Sequence, residues 1–271
     1  MPLPPPVTSA ACPSSLMGGQ PTPGDLRAGA PKGRRTRLDR LAARVSPSPI
    51  PIVGGTGALG FGLALRLARA GVPVIIGSRG ADRAREAASK ARERIPEGEI
   101  QGLENAEAVP RGEVVFLTVP FRAQSENLTN LREVLRPGQI LVDATVPLAA
   151  AISGRATRLL GVPQGSAAEQ AQEMVPDGVT VISALHTVAG HALTDLDHEL
   201  DEDVLICGDS RDPKRAVADI IEKIPGLRPV NAGALETARL VEGLTPLLIS
   251  INARNKVTAG ITLSGLDEPR W

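Results

Sequence analysis

Ile50-Pro-Ile-Val-Gly-Gly-Thr-Gly-Ala-Leu-Gly-Phe-Gly-Leu-Ala-Leu-Arg-Leu-Ala-Arg-Ala70 sets Gly55-x-Gly57-x-x-Gly60 between a short apolar run and a run with helical periodicity. Leu63, Leu67 and Ala70 continue that periodicity, Gly71 follows as a C-cap, and a second apolar run spans residues 72–76. Strand, glycine turn, helix and strand in this order form a dinucleotide-binding turn. Gly55 permits the tight turn, Gly57 lets backbone approach a pyrophosphate, and Gly60 lets the helix pack on its strand with its N-terminus aimed at phosphate.

The end of the second strand selects the nucleotide. An NAD site usually carries an acid there to accept from the ribose hydroxyls, whereas this chain reads Gly77-Ser78-Arg79. Arg79 suits bidentate capture of a 2′-phosphate, Ser78 offers a hydroxyl, and Arg83 lies one helical turn beyond Arg79. The cofactor expected is therefore NADP(H). The alternative is a solvated helix start with Asp82 and Glu86 as local partners of the arginines.

The pattern continues with a charged helix at 81–94, a strand at 113–119, a helix at 123–135 stopped by Pro137-Gly138, and a strand at 139–146. Further strands are expected at 180–185 and 203–207, and helices at 213–224 and 235–255. This alternation predicts an α/β fold: a Rossmann-like, doubly wound parallel sheet with a small, mostly helical C-terminal domain. The boundaries expected are a leader over 1–49, an NADP-binding domain over 50–208 and a C-terminal domain over 209–271. Pro51 inside the first strand requires that strand to begin late or to bulge.

The leader holds ten of the 24 prolines and ends in a basic run from Lys32 to Arg44, so it reads as disordered, either a functional segment or an over-called start. The remaining ~220 residues suffice for a sizeable core. Thirty basic and thirty acidic residues give no net charge, and with no Tyr and three Phe the chain lacks stacking platforms. Nucleic acid and membrane are therefore not expected partners. Cys12 and Cys207 form neither a redox pair nor a metal spacing, and His186, His191 and His198 have no metal-ligand spacing. The composition is that of a soluble, cytoplasmic enzyme without a metal.

Ligands of such sheets bind beyond the carboxyl ends of the strands. Three corners meet that condition: Thr118-Val119-Pro120-Phe121, Thr145-Val146-Pro147 and Ser183-Ala184-Leu185-His186-Thr187. Together they offer an apolar crevice suited to a nicotinamide ring. His186 either hydrogen-bonds a ligand there or is a corner histidine satisfied by backbone.

From about Ile52 to Gly265 the chain resembles the NADPH-dependent coenzyme F420 reductases, or F420H2:NADP oxidoreductases. The resemblance is carried by residues 54–60 with Gly77-Ser78-Arg79, by residues 183–187, and by residues 226–233 followed by 239–248. It implies a homodimer and direct hydride transfer between NADPH and a 5-deazaflavin, coenzyme F420. It also implies Thr56, Gly57, Ala58 and Leu59 at the pyrophosphate, Ser78, Arg79 and Arg83 at the 2′-phosphate, and Thr118, Pro120, Phe121, Val146 and Pro147 beside the nicotinamide. His186, Thr187 and Gly190 complete the candidate coenzyme-binding set. The chain departs from the family pattern with Ala58 for Asn, Arg83 for Lys, and Val188-Ala189-Gly190 for Ile-Pro-Ala. Arg122, Arg155 and Arg158 are candidates for the deazaflavin's acidic tail.

Two rival functions follow from the same architecture. A dehydrogenase or imine reductase of a small metabolite would need an acid or base on the C-terminal helices, where Asn252, Arg254, Asn255 and Lys256 are the dense polar set. A non-enzymatic NADP sensor would leave the crevice empty. The helix at 235–255, with Leu235, Ala238, Leu240, Val241, Leu244, Leu247, Leu248 and Ile251, carries more apolar surface than one domain edge needs, and Pro246 is expected to kink it.

Overall fold

Uninterrupted runs of β-branched and aliphatic residues form strands covered on both faces, which is the environment of a parallel sheet. The computed structural model describes residues 48–152, 154–266 and 271. Its strands are β1 (Ile50–Val53), β2 (Val74–Ser78), β3 (Ile100–Glu104), β4 (Val114–Leu117), β5 (Ile140–Asp143), β6 (Thr180–Ser183), β7 (Glu202–Cys207) and β8 (Leu227–Gly233). They form one sheet in the order β3-β2-β1-β4-β5-β6-β7-β8. The first six strands pair in parallel. β7 then meets β6 antiparallel through the single pair Ser183–Cys207, and β8 runs parallel to β7. The sheet is thus mostly parallel and Rossmann-like, with one reversal that the strand pattern did not foretell.

Helices α1 (Ala58–Arg69), α2 (Ala81–Arg94), α3 (Asn105–Ala108), α4 (Gln124–Leu131), α5 (Ala167–Met174), α6 (Gly190–Thr194), α7 (Arg211–Ile221), α8 (Ala238–Glu242) and α9 (Leu244–Asn255) complete the order. Side chains alternate across each strand, so the sheet feeds two cores. Ile52, Ile76, Phe116, Val142, Ile182 and Ile206 pack with Leu63 and Leu67 of α1 and Val217 and Ile221 of α7. Val53, Val115, Leu117, Leu141, Val181 and Leu205 pack with α4, α5 and α8 on the other face.

Pro51 occupies a regular position in β1, paired in register with Ile75. The amide of Ile50 donates to Pro73 O at 2.9 Å, on the β2 side. Alternation then turns the donor-less nitrogen of Pro51 toward β4, where pairing starts only at Ile52. The strand begins late on one side, and its register shows no bulge.

The helix expected over 235–255 is three pieces: a 3₁₀ turn at Leu235–Thr237, then α8, then α9. Pro246 supplies no amide to the carbonyl four residues back, Glu242, so the break falls one turn upstream and Pro246 sits in the first turn of α9. The helix expected over 123–135 is shorter as well. A 3₁₀ turn at Phe121–Ala123 precedes α4, and past Leu131 the chain tightens with Val134 N donating to Leu131 O at 3.0 Å. The expected boundary at 208 falls between β7 and α7, and β8 beyond it belongs to the same sheet. Residues 1–47 of the leader, with Cys12, lie outside the described residues.

α1 and α6 touch backbone to backbone. A Cβ on Gly62 would stand 2.5 Å from Leu193 Cβ and 2.9 Å from the Leu193 carbonyl carbon. One turn along, the buried Arg66 donates to the carbonyls of Leu193 (3.1 Å), Ala192 (3.0 Å), Asp195 and His198 (2.7 Å). Replacing Gly62 by Ala adds helix propensity of up to ~1 kcal/mol. It also forces α6 off both the glycine and the arginine. The expected net result in urea unfolding is a loss of roughly 1–3 kcal/mol, the usual range for overpacking. A variant as stable as the parent would refute the close-contact account.

Candidate functional site

The carboxyl ends of β1, β2 and β4 meet the N-terminus of α1. The left-handed backbone at this turn belongs to Gly54, with φ +77°, where a Cβ would lie 2.7 Å from Val119 Cγ1. The tight turn thus depends on the residue before the motif. Gly55 serves instead to admit close backbone, since its Cβ would lie 2.9 Å from Ile52 O. At Gly60 a Cβ would fall 2.4 Å from Thr118 Oγ1 and 2.9 Å from Gly54 O. Thr118 itself donates to Val53 O at 2.9 Å, tying the end of β4 to that of β1.

Gly57 caps α1 without a side-chain acceptor, and the first turn holds no acid. The amides at this end therefore point outward with a positive partial charge. Gly190 closes on the same end: its Cβ would be 2.7 Å from Leu59 N and 3.0 Å from the Ala58 carbonyl carbon.

A cleft of about 170 Å³ opens beside this turn, walled by Thr56, Gly57, Ser78, Arg79, Arg83, Thr118 and Pro120, together with Gly54, Val119, Ala123, Asn105 and Asn127. Ser78 is buried, and its hydroxyl receives the Gly80 amide at 3.5 Å. Arg79 reaches Glu126 at 3.6 Å in a pair more than half exposed on both sides. Asp82 and Glu86 are engaged elsewhere, with Arg85 at 2.5 Å and Lys90 at 2.7 Å, and Arg83 makes no ion pair among the described residues. Asn105 escaped the sequence reading because β3, with Gly102 and flanking polar residues, carries no apolar pattern, and Asn127 because a polar residue on the expected helix looks like any solvated one. The side-chain nitrogen of Asn105 faces Asn127 Oδ1 at 3.4 Å, while its buried Oδ1 has no partner. The outward amides and the under-neutralised arginines fit an anionic ligand, and the orphaned acceptor oxygen fits a hydroxyl or amine donor on it.

The second corner rests on a buried network. Gln124 Nε2 donates to Asp143 Oδ2 (2.9 Å), Thr145 Oγ1 (2.8 Å) and Ala167 O (2.9 Å), and Gln170 donates to Gln124 Oε1 at 2.6 Å. Thr145 donates both its amide and its hydroxyl to Asp143 at 3.1 Å. Glu242 accepts the first two amides of α5, from Ala167 at 3.1 Å and Ala168 at 3.2 Å. Burial pushes Asp143 up to about 7 and Glu242 up to about 8, against the opposing pull of their hydrogen bonds. Val146 and Pro147 follow directly, half-buried and buried.

At the third corner Leu185 adopts φ +70°, a conformation costly for a residue with a Cβ. The strained leucine is anchored in the core at 1% exposure, and it delivers His186 and Thr187 to buried positions. Thr245 of α9 donates to His186 O at 2.8 Å. Neither ring nitrogen of His186 has a partner in hydrogen-bond geometry. Burial lowers its pKa to about 4, partly offset by Thr145 backbone, so the imidazole is neutral at physiological pH. Thr145 backbone is thus a polar neighbour of the ring, close enough to act on its charge but outside hydrogen-bond geometry.

The remaining candidates separate. Phe121 is half-buried beside the first corner, in the turn that packs against residues 149–152. Arg155 and Arg158 line a different cavity, and Arg122 is exposed. Asn252 accepts the Ala259 amide at 2.8 Å, Asn255 donates to Ile251 O at 2.8 Å, and Lys256 is the left-handed C-cap. The two asparagines of that polar set are thus occupied in ending α9. His191 and His198 are exposed. Among the described residues no group of three His, Cys, Asp or Glu is placed to hold a metal ion, and no helix is long and apolar enough to cross a membrane.

Residues 49–147 match the family model of NADP oxidoreductases that are coenzyme F420-dependent. The chain is 43% identical over 223 residues to an F420-dependent NADP reductase of Methanothermobacter marburgensis, covering 81% of this chain and 99% of the relative. It is also 43% identical over 223 residues to that of Methanocaldococcus jannaschii, covering 80% and 99%. The fold is similar to a crystal structure assigned as an F420-dependent NADP reductase from Arthrobacter sp. FB24, with TM-score 0.67, 24% identity, and 80% and 100% of the two chains covered. An imine reductase from Bacillus cereus shares the fold at TM-score 0.52 and 16% identity, over 77% of this chain and 63% of that one.

Proposed function

The chain belongs to the coenzyme F420-dependent NADP oxidoreductases, and from that premise we propose that it moves a hydride reversibly between NADP(H) and the 5-deazaflavin coenzyme F420. The observation that carries the residue-level reading is the cleft at the end of β2, where Arg79 and Arg83 stand beside the buried hydroxyl of Ser78.

In this reading Thr56, Gly57, Ala58 and Leu59 present backbone to the pyrophosphate, and Ser78, Arg79 and Arg83 hold the 2′-phosphate. Glu126 is a weak competitor for Arg79, because an exposed pair contributes at most ~1 kcal/mol whereas a hydrogen bond to a charged group contributes ~1.5–3 kcal/mol. Thr118, Pro120, Phe121, Val146 and Pro147 form the dry side of the nicotinamide crevice, and Gly190 keeps the helix end open to the phosphates. Bound together, the two coenzymes supply donor and acceptor carbons, so the protein's work is alignment and exclusion of water. No metal enters this chemistry. His186, being neutral, can donate from one ring nitrogen and accept at the other without setting a cation beside the transferring hydride.

The C-terminal segment over 209–271 contributes the deazaflavin side and a homodimer contact in the same reading. Leu240 is 66% exposed, Leu247 54% and Ile251 36%, an apolar face suited to a second copy. The site of action is the cytoplasm. The rival dehydrogenase reading is left with Arg254 and Lys256 for its acid or base, since Asn252 and Asn255 are spent on the end of α9.

The reaction is tested with NADPH deuterated separately on each face of nicotinamide C4. Label from one face only is expected on the reduced carbon of the deazaflavin, while solvent hydrogen there, after correction for wash-out, excludes ring-to-ring transfer. Turnover of an imine or keto acid without deazaflavin reduction would hand the function to the rival dehydrogenase, and NADPH binding without turnover of any acceptor would favour the sensor.

Arg79→Ala is expected to lower the NADPH-over-NADH preference in kcat/KM by roughly 10- to 150-fold, the equivalent of one charged hydrogen bond. An unchanged ratio removes Arg79 from the phosphate site. Sedimentation at micromolar concentration is expected to give a dimer that Leu240→Glu/Leu247→Glu dissociates; a monomeric parent chain rejects the proposed interface.

A further inference from the structure

We propose that the cavity lined by Ala149, Ile152, Arg155, Thr157, Arg158 and Leu159 receives the anionic tail of the deazaflavin coenzyme, the phosphodiester and carboxylates beyond its ring, with Arg155 and Arg158 as the groups that hold it. The proposal rests on the function given above and extends it to a surface outside the NADP cleft.

Charge is the first argument. The cavity measures about 860 Å³, within the range of small-molecule sites, and its walls include Arg155, Arg158 and Thr157 but no carboxylate. Neither guanidinium makes a hydrogen bond or ion pair among the described residues. Two buried or half-buried arginines, by contrast, are fully employed: Arg66 on four carbonyls, Arg228 on both oxygens of Asp203. In a chain with no net charge, two uncompensated cations three residues apart on one cavity wall constitute a local positive field. A planar guanidinium matches phosphate and carboxylate oxygens in pairs, so two of them suit a ligand bearing several anionic groups in series.

Position is the second argument. The segment is fastened to the corner that ends at Pro147: Leu160 N donates to Pro147 O at 2.7 Å, Ala149 N donates to Arg158 O at 2.8 Å, and Leu148 bridges Leu159. The 3₁₀ turn at Phe121–Ala123 packs on residues 149–152. The cavity therefore begins where the proposed hydride crevice ends. A tail leaving the ring at that crevice would meet the arginines without crossing the molecule. Ile152 at 66% exposure and Leu159 at 37% give the cavity an apolar rim. A second copy of the chain covering that rim would have to desolvate both guanidiniums, which is costly unless it brings carboxylates to meet them.

The experiment compares F420 with the tail-less deazaflavin, which keeps the ring and ribityl chain but lacks the phosphate and everything after it. Steady-state kinetics are measured for the full chain and for Arg155→Ala/Arg158→Ala, with circular dichroism to confirm that the variant is folded. The parent is expected to have a KM for F420 at least roughly tenfold below that for the tail-less acceptor, rising with salt as screened ion pairs require. In the double variant the difference between the acceptors and the salt dependence should both collapse, with the loss in KM and not kcat. Arg155→Lys/Arg158→Lys should recover the salt dependence.

An unchanged F420 KM in the alanine variant overturns the site, as does a parent that does not distinguish the acceptors or a variant equally impaired toward both. If the parent reduces neither acceptor, the function falls and the tail site with it. If the parent reduces F420 and the variant behaves like it, only the tail site falls.

Discussion

The separation between helix α1 and the chain beneath it is fixed by positions that carry no Cβ, and the ligand edge of the sheet takes its form from that separation. Gly60 lies on Thr118 and on the backbone of Gly54, Gly62 lies on Leu193, and Gly190 lies on the first turn of α1 from the opposite side. A helix held a methyl group farther away would still pack its leucines. Its amide end would no longer converge with the ends of β1 and β4, which the Thr118 hydroxyl joins. The same helix is gripped from outside by no cap, so its first turn keeps its capacity for an anion.

Buried polar groups at the other corners divide into satisfied and unsatisfied sets. Gln124, Asp143, Thr145 and Glu242 form a closed network, one that raises the pKa values of two carboxyls by burial while satisfying their oxygens. A buried polar group left without a partner costs about 1–3 kcal/mol, so orphans require an explanation. Among the described residues Asn105 Oδ1 and both ring nitrogens of His186 are such orphans, one in the cleft at the end of β2 and the other at the strained turn after β6. The left-handed Leu185 adds backbone strain at the same corner as the histidine, and strain of this kind persists where the surrounding packing over-determines it.

Much of this was legible in the sequence where physics leaves a periodic or chemically specific trace. The strand, glycine and helix order around Gly55 yields β1 and α1, and Ser78-Arg79 in place of an acid marks the residues that wall the cleft at the end of β2. Legibility fails where the trace is absent. β3 contains a glycine and two exposed or half-exposed polar residues, and β8 contains Pro229, tolerated only because β8 is the sheet's edge. Without β3, Asn105 had no place in the site. The left-handed role of Gly54 was hidden because consecutive glycines look alike in sequence, and the steric demands differ only when the neighbours are known. The reversal at β7 was invisible because a six-residue buried strand reads the same in either direction.

That reversal leaves the sheet with an unusual seam. Eight strands share one ladder, yet the first six and the last two are joined by a single residue pair, Ser183 with Cys207. What unites the two parts is chiefly side-chain packing, Ile182 against Val204 and Ile206 on one face and Val181 with Leu205 on the other. Packing of hydrophobic surfaces tolerates substitution far better than strand register does. Exchanging everything after the seam would spare the strand ladder but strip Val217 and Ile221 from one core and Leu235 and Val241 from the other, and leave the α5 amides without Glu242, so a transplanted C-terminal segment has to bring a matching core and a matching cap.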